Sequence, residues 1–216
     1  MTLTIRDPGS AITHFIGWIM ALCAVFPLFI KAAGNSCLAS MLVFGLSMVE
    51  LYAASTTYHT INVQSGRIFT LFKRIDHLSI FLLIAGTYTP ICTIVLKGRT
   101  GTILLTAIWS MAALGMITKY FFVNCPKWFS SILYIAMGWM CVFTFKPLIN
   151  LLPDGAFSWL LGGGIFYTLG GALYGFKLKA FNARHPKFGS HEIFHLFIMA
   201  GSVCHFIFMY VYVVSM

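Results

Sequence analysis

The chain has 216 residues, 59% of them hydrophobic and 9% charged, with a mean hydropathy of +0.89. Soluble domains carry roughly 25% charged residues, so this composition excludes a soluble globular protein and describes one membrane domain over residues 1–216. The net charge of +9 does not indicate a nucleic-acid partner, because the basic residues stand singly between apolar runs and do not cluster on a soluble face.

A bilayer core about 30 Å thick needs about 20 apolar residues in a helix. Seven stretches meet that length in chain order: 11–33, 37–59, 75–96, 102–122, 129–149, 156–177 and 191–214. The first is too long for a signal-peptide core and no small-x-small cleavage pattern follows it. Turn-forming punctuation separates the others: Gly34-Asn35-Ser36, Lys97-Gly98-Arg99, Cys125-Pro126-Lys127, Pro153-Asp154-Gly155 and His185-Pro186-Lys187. Gly162–Gly164, Gly170, Gly171 and Gly175 stud the sixth stretch, a pattern of close helix packing. The expected fold is therefore an all-α, seven-transmembrane-helix bundle. Ten of the fourteen basic residues fall on the N-terminal side (Arg6, Arg67, Lys73, Arg74, Lys119, Lys127, Lys177, Lys179, Arg184, Lys187). Lys31, Lys97, Arg99 and Lys146 fall on the other, which places the N-terminus in the cytoplasm and the C-terminus outside. The six cysteines are scattered with no CxxC pair, and give neither a disulfide framework nor a thiolate metal site.

On that topology the polar residues converge. The second stretch ends in Ser55-Thr56-Thr57-Tyr58-His59, Asp76 opens the third, and His191 and His195 open the seventh, all at the cytoplasmic side. His191 and His195 lie about 40° apart and about 6 Å along the axis, a known zinc-binding arrangement. A third ligand from another helix, with water in the fourth position, completes the usual catalytic zinc site. Ser55 and His59 share a helix face, and Asp76 could orient the metal's water or a ligand histidine. Each histidine alone could simply hydrogen-bond a neighbouring helix, but ionisable groups inside a membrane bundle are costly and mark function. His205, about 15 Å beyond His195, is expected to make a structural interhelix bond. His77 points about 100° away from Asp76. His14 and His185 read as interfacial, Glu192 favours the helix dipole of its first turn, and Glu50, opposite His59 on its helix, reads as protonated or paired.

The stretches STTYHT, RIDHLSIFLLIAGTYTP, YIAMGWM, GGGIFYTLGG and HEIFHLFIMAGSVCHF resemble the bacterial branch of the hemolysin III family, related to the progestin and adiponectin receptors. The order SxxxH, D, HxxxH is shared with alkaline ceramidases. The resemblance implies a seven-helix protein of the bacterial inner membrane holding zinc through His59, His191 and His195, with Asp76 at the metal's water and Ser55 beside the metal. Ile75 stands where the family pattern has Phe, and about ten residues precede the first span, without the long cytoplasmic tail of the animal receptors.

Three functions follow from these residues. The first is zinc-dependent hydrolysis of a lipid amide or ester, the metal lowering the pKa of water to about 7, with Asp76 as general base and acid and Ser55 as oxyanion donor. The second is a receptor-like or regulatory protein of lipid homeostasis in which zinc ties helices together. The third is a hemolysin or pore, disfavoured because so apolar a chain has no soluble precursor state. The expected partners are membrane lipids.

Overall fold

The computed structural model describes residues 4–63, 66–176, 178–185 and 188–216. Lys177, Pro186 and Lys187, used above for orientation and punctuation, lie outside the described residues, as does the side chain of Lys179. Among the described residues the chain is helical throughout and has no strand. Seven helices are long and apolar enough to cross a membrane: Pro8–Ala32, Leu38–Thr60, Gly66–Val95, Arg99–Phe121, Lys127–Leu151, Ala156–Phe176 and Ser190–Ser215. They are called here the first to seventh spans.

The expected third stretch, 75–96, is the apolar part of a longer helix. Arg67, Lys73 and Arg74 lie in its opening turns, where Lys73 Nζ donates to Asn124 Oδ1 at 2.7 Å and the Arg74 guanidinium lies 4.6 Å from the Tyr120 ring centre. Charges end a hydropathy window, but they do not end a helix whose side chains find partners beyond the apolar layer.

Each span packs on its successor from first to fourth and from fifth to seventh, and the seventh returns to the first. Large apolar side chains such as Phe26, Leu114, Phe143 and Phe176 point outward, as a lipid-facing surface requires. Three spans are irregular. The third becomes a π-helix over Ile91–Val95 directly after Pro90, which has no N–H to give the helical ladder. The fifth tightens to a 3-10 turn over Trp139–Thr144, and the seventh widens over Phe208–Tyr212. In a bilayer the freed backbone groups must be satisfied by protein. Tyr88 does this for the fifth span: its hydroxyl donates to the Gly138 carbonyl at 2.6 Å and accepts from the Cys141 N–H at 2.8 Å.

The glycines of the sixth span divide by face. A Cβ at Gly163 would lie 2.3 Å from the His205 ring, and Cβ atoms at Gly170 and Gly171 would press on Phe197 and Ile135, at 3.0 and 3.1 Å. Gly162 and Gly164 meet nothing within 4 Å, so close packing explains the first set alone. Gly163→Ala is expected to destabilise the bundle by about 1–3 kcal/mol through overpacking. Gly162→Ala should leave the melting temperature in detergent unchanged or slightly raised, and thermal unfolding of the two variants side by side checks this.

Candidate metal centre

The second span delivers His59 in its last turn, and the seventh delivers His191 and His195 in its first turns. One ligand nitrogen from each lies within 4.8 Å of the other two, with His59 and His195 buried and His191 partly so. His59 Nε2 and His191 Nε2 are 3.3 Å apart.

The groups behind the rings determine what the nitrogens in front can do. His59 Nδ1 donates to Asp7 Oδ2 at 2.9 Å, and Arg6 Nε donates to the same oxygen at 2.8 Å. The Asp7 N–H returns a bond to the His59 carbonyl at 3.1 Å, so the segment before the first span is laced to the end of the second. Arg6 is itself held flat, its guanidinium 4.1 Å from the Tyr58 ring centre. The hydrogen bond from His59 holds the Asp7 carboxyl at about 2, well below the usual carboxylate range; partial burial opposes this and Arg6 adds to it. Asp7 is therefore a carboxylate at neutral pH and acts only as an acceptor. That requires the His59 proton to sit on Nδ1 and leaves the Nε2 lone pair facing inward.

Thr13 does the same for His195. Its hydroxyl proton is spent on the Gly9 or Ser10 carbonyl, both 3.0 Å away, so the oxygen accepts from His195 Nδ1 at 3.0 Å. Two imidazoles are thus turned with Nδ1 outward and Nε2 inward, the orientation a metal requires, by the kind of outer partners that hold ligand histidines. A tetrahedral ion with metal–nitrogen bonds of about 2.0–2.1 Å sets its ligand nitrogens about 3.3–3.4 Å apart. The His59–His191 separation meets that spacing, and the donor set fits a zinc-like ion.

Asp76 and Ser55 face each other and line, with the three histidines, one cavity of about 640 Å³. Its deeper wall is largely apolar, reaching Leu83, Tyr88, Ile135 and Trp139. All five residues singled out in the sequence therefore meet on one cavity. His77, expected to point away from Asp76, nevertheless brings Nε2 to 3.9 Å from Asp76 Oδ2, because its long side chain reaches back across the helix surface. His205 makes its interhelix bond, with Nε2 3.2 Å from the Leu160 carbonyl. Glu192 closes its helix N-terminus by accepting the Gly189 N–H at 2.8 Å, and also accepts from Ser10 Oγ at 2.5 Å. Glu50 lies outside the cavity wall with Oε2 unpartnered among the described residues.

His14 is a correction. It is not interfacial but 3% exposed, stacked on His195 with ring centres 3.5 Å apart. Its place just inside the first span suggested the headgroup layer, but packing against the rings of His195 and Tyr52 buries it. His185, by contrast, is exposed and stacks on Phe181. Asp7 and Thr13 went unnoticed because they follow no ligand spacing. The one available signal was an Asp-Pro pair opening a span at the depth of the histidines.

The Haemolysin-III related family model matches residues 4–206. The chain belongs to that family. Among its relatives, Hemolysin-3 of Bacillus cereus is 39% identical over 210 residues, covering 95% of this chain and 91% of that one. The Hemolysin-3 homolog of Bacillus subtilis is 37% identical over 207 residues, covering 94% and 92%. Monocyte to macrophage differentiation factor of Homo sapiens is 25% identical over 167 residues, 76% of this chain and 66% of its own length. Membership in this family and seven apolar spans make the chain a multi-pass membrane protein, as expected of a bacterial inner-membrane resident.

Outer partners of ligand histidines are worth about 10–100-fold in metal affinity. Asp7→Ala is therefore expected to weaken zinc retention by that factor in competition with a chromogenic chelator, while Asp154→Ala, far along the chain in a connecting turn, leaves it unchanged.

Proposed function

We propose that this haemolysin III protein is an intramembrane zinc hydrolase that cleaves an amide or ester bond of a lipid, with its site at the cytoplasmic end of the bundle. The observation that carries the reading is the meeting of His59, His191 and His195 with Asp76 and Ser55 on one cavity whose deeper wall is apolar. The cytoplasmic placement rests on the distribution of Lys and Arg between the two ends.

His59, His191 and His195 would hold the ion, which when bound supplies Lewis-acid activation of water and of the scissile carbonyl. The remaining steps belong to the chain. The Asp76 carboxylate takes the proton of the attacking water and returns it to the leaving amine or alkoxide. The Ser55 hydroxyl, one helical turn deeper than His59, donates to the oxygen on which negative charge develops. The apolar wall of Leu83, Ile84 and Ile135 accommodates an acyl chain and keeps bulk water from the reacting bond.

Purified without chelator, the wild type is expected to carry about one zinc per chain by elemental mass spectrometry, and His59→Ala and His195→Ala to lose it. Asp76→Asn should retain the metal and lose about 10²–10⁴-fold in turnover of a ceramide, an acyl amide or a lipid ester. Zinc-loaded wild type that turns over none of these faster than Asp76→Asn would sink the catalytic reading.

One observation favours a second reading, that of a regulatory protein with structural zinc. The histidines join the second and seventh spans, and the residues behind them belong to the first span and the segment before it. A metal there would clip the ends of three helices. Its mark is a melting temperature that falls on chelation with no lipid turnover at any stage.

A further inference from the structure

The connection between the fourth and fifth spans holds a nucleophile that the hydrolytic reading does not use. Cys125 is half-buried and lines the cavity beside Asn124 and Pro126. Its sulfur accepts a bond from Lys119 Nζ at 3.2 Å and lies 3.4 Å from Ser130 Oγ. Lys119 stands in the last turn of the fourth span and Ser130 in the first turn of the fifth, each 1% exposed. Lys119 Nζ also donates to Ser130 Oγ at 2.6 Å. The sulfurs of Cys37 and Cys141, by contrast, face the backbone carbonyls of Val214 and Gly138.

An ammonium sealed from water needs an opposite charge or strong hydrogen bonding. Among the described residues Lys119 has no carboxylate within ion-pair distance, and of its bonding partners, Ser130 and Cys125, only the thiol readily becomes an anion. The thiolate is also the form in which any cysteine reacts. Lys119 therefore faces the one group at this site whose charge oxidation would remove. A sulfenic acid is neutral, so a Cys125 that carries one leaves the Lys119 ammonium without an anionic partner. Burial then favours the free amine, whose lone pair is a nucleophile.

We propose that Cys125 and Lys119 are a covalent modification site: a peroxide converts the thiol to a sulfenic acid, and Lys119 Nζ captures that acid as a sulfenamide. In the first step the Cys125 thiolate attacks one oxygen of hydrogen peroxide. The S–O bond forms, the O–O bond breaks, and the hydroxide that leaves takes a proton from the Lys119 ammonium to become water. In the second step the Lys119 amine attacks the same sulfur. The S–N bond forms, the S–O bond breaks, and the departing hydroxide leaves as water with a proton from that nitrogen. Sulfur gives up an electron pair and the peroxide accepts it. A thiol reductant reverses the bond, returning thiol and amine and leaving as its own disulfide. The bond fastens the connection to the fourth span at the cavity wall, next to Asn124, whose Oδ1 Lys73 already holds at 2.7 Å. The basic residues assign this end of the bundle to the cytoplasm, where thiols are kept reduced and oxidation is transient, and a reversible bond suits that setting.

The test exposes full-length protein in phosphatidylcholine nanodiscs to hydrogen peroxide, blocks free thiols with N-ethylmaleimide, and reads a tryptic digest by mass spectrometry. Trypsin cuts after Lys119, and an Nζ–S bond blocks that cut. The expected product is the uncut peptide Thr100–Lys127, lighter by H2 than its sequence requires and with Cys125 closed to maleimide. Dithiothreitol should restore both the thiol and the cut. Cys125→Ser should abolish the product. Lys119→Arg keeps a cation but offers a poor nucleophile, and should leave a Cys125 sulfenic acid that dimedone traps, with melting curves establishing that both variants fold. Dimedone present while the wild type is oxidised should trap the same acid and suppress the bond, a result that depends on no variant. Full cutting after Lys119 in the oxidised wild type overturns the proposal, whether Cys125 is then unmodified or oxidised without capture. A blocked cut that persists in Cys125→Ser overturns it as well. None of these readouts depends on lipid turnover, so the pair stands or falls apart from the hydrolytic reading.

Discussion

A polar group buried in hydrocarbon without a partner costs roughly 2–7 kcal/mol, and a lipid bilayer offers no water to relieve it. Four imidazoles, those of His14, His59, His191 and His195, pack in one chain of ring contacts at the end of this bundle. The bonds from Asp7 and Thr13 are what make such a cluster tolerable. Each takes one ring N–H and so decides where the remaining lone pair points. Both come from the segment that begins the first span, and the site therefore depends on an element that supplies none of the three inward-facing nitrogens.

The same constraint explains the middle of the bundle. Tyr52 donates to Ser202 Oγ at 2.7 Å and Tyr167 lies 2.9 Å from the same atom, linking the second, sixth and seventh spans through one hydroxyl. His205 bonds the Leu160 carbonyl across the contact that Gly163 opens. Tyr52, Tyr167 and Ser202 satisfy one another, while His205 keeps Nδ1 without a partner among the described residues. Near the histidine cluster, capacity remains: both nitrogens of His14 and Nδ1 of His191 and His77 have no partner among the described residues.

That constraint also sets what could be read from the sequence. The seven spans were legible because hydropathy over about 20 residues is a strong signal. Ser55, His59, Asp76, His191 and His195 were legible because helical spacing and topology together fix their depth. The start of the third span was not, since Arg67, Lys73 and Arg74 look like a loop until their partners in the neighbouring segment are known. Asp7 was illegible for a deeper reason. Its bond to His59 joins residues 52 positions apart, and no periodicity encodes a contact between a pre-helical residue and the far end of the next helix. His14 was misplaced for the same reason, because depth in the membrane was inferred from position in one span and not from what covers it.

Supporting residues of this kind bear on how the site and the fold are coupled. If helix clipping alone were required, without any metal, a hydrogen-bonded network would suffice, and Nε2 of His59 and of His195 would not need separate outer acceptors on Nδ1. A purely structural cluster is satisfied most simply when each ring donates to the next. Here the outer bonds take the Nδ1 protons of two rings, and His59 Nε2 and His191 Nε2 stand 3.3 Å apart with at most one proton available to bridge them. Such an arrangement is poor as a self-contained network and good as a receptor for a cation. With Asp76 and Ser55 on the same cavity, outside the set of three nitrogens, the groups proposed for proton transfer would stand beside an ion held there without being consumed in holding it. This is the separation of roles that catalysis requires and that a structural clip does not.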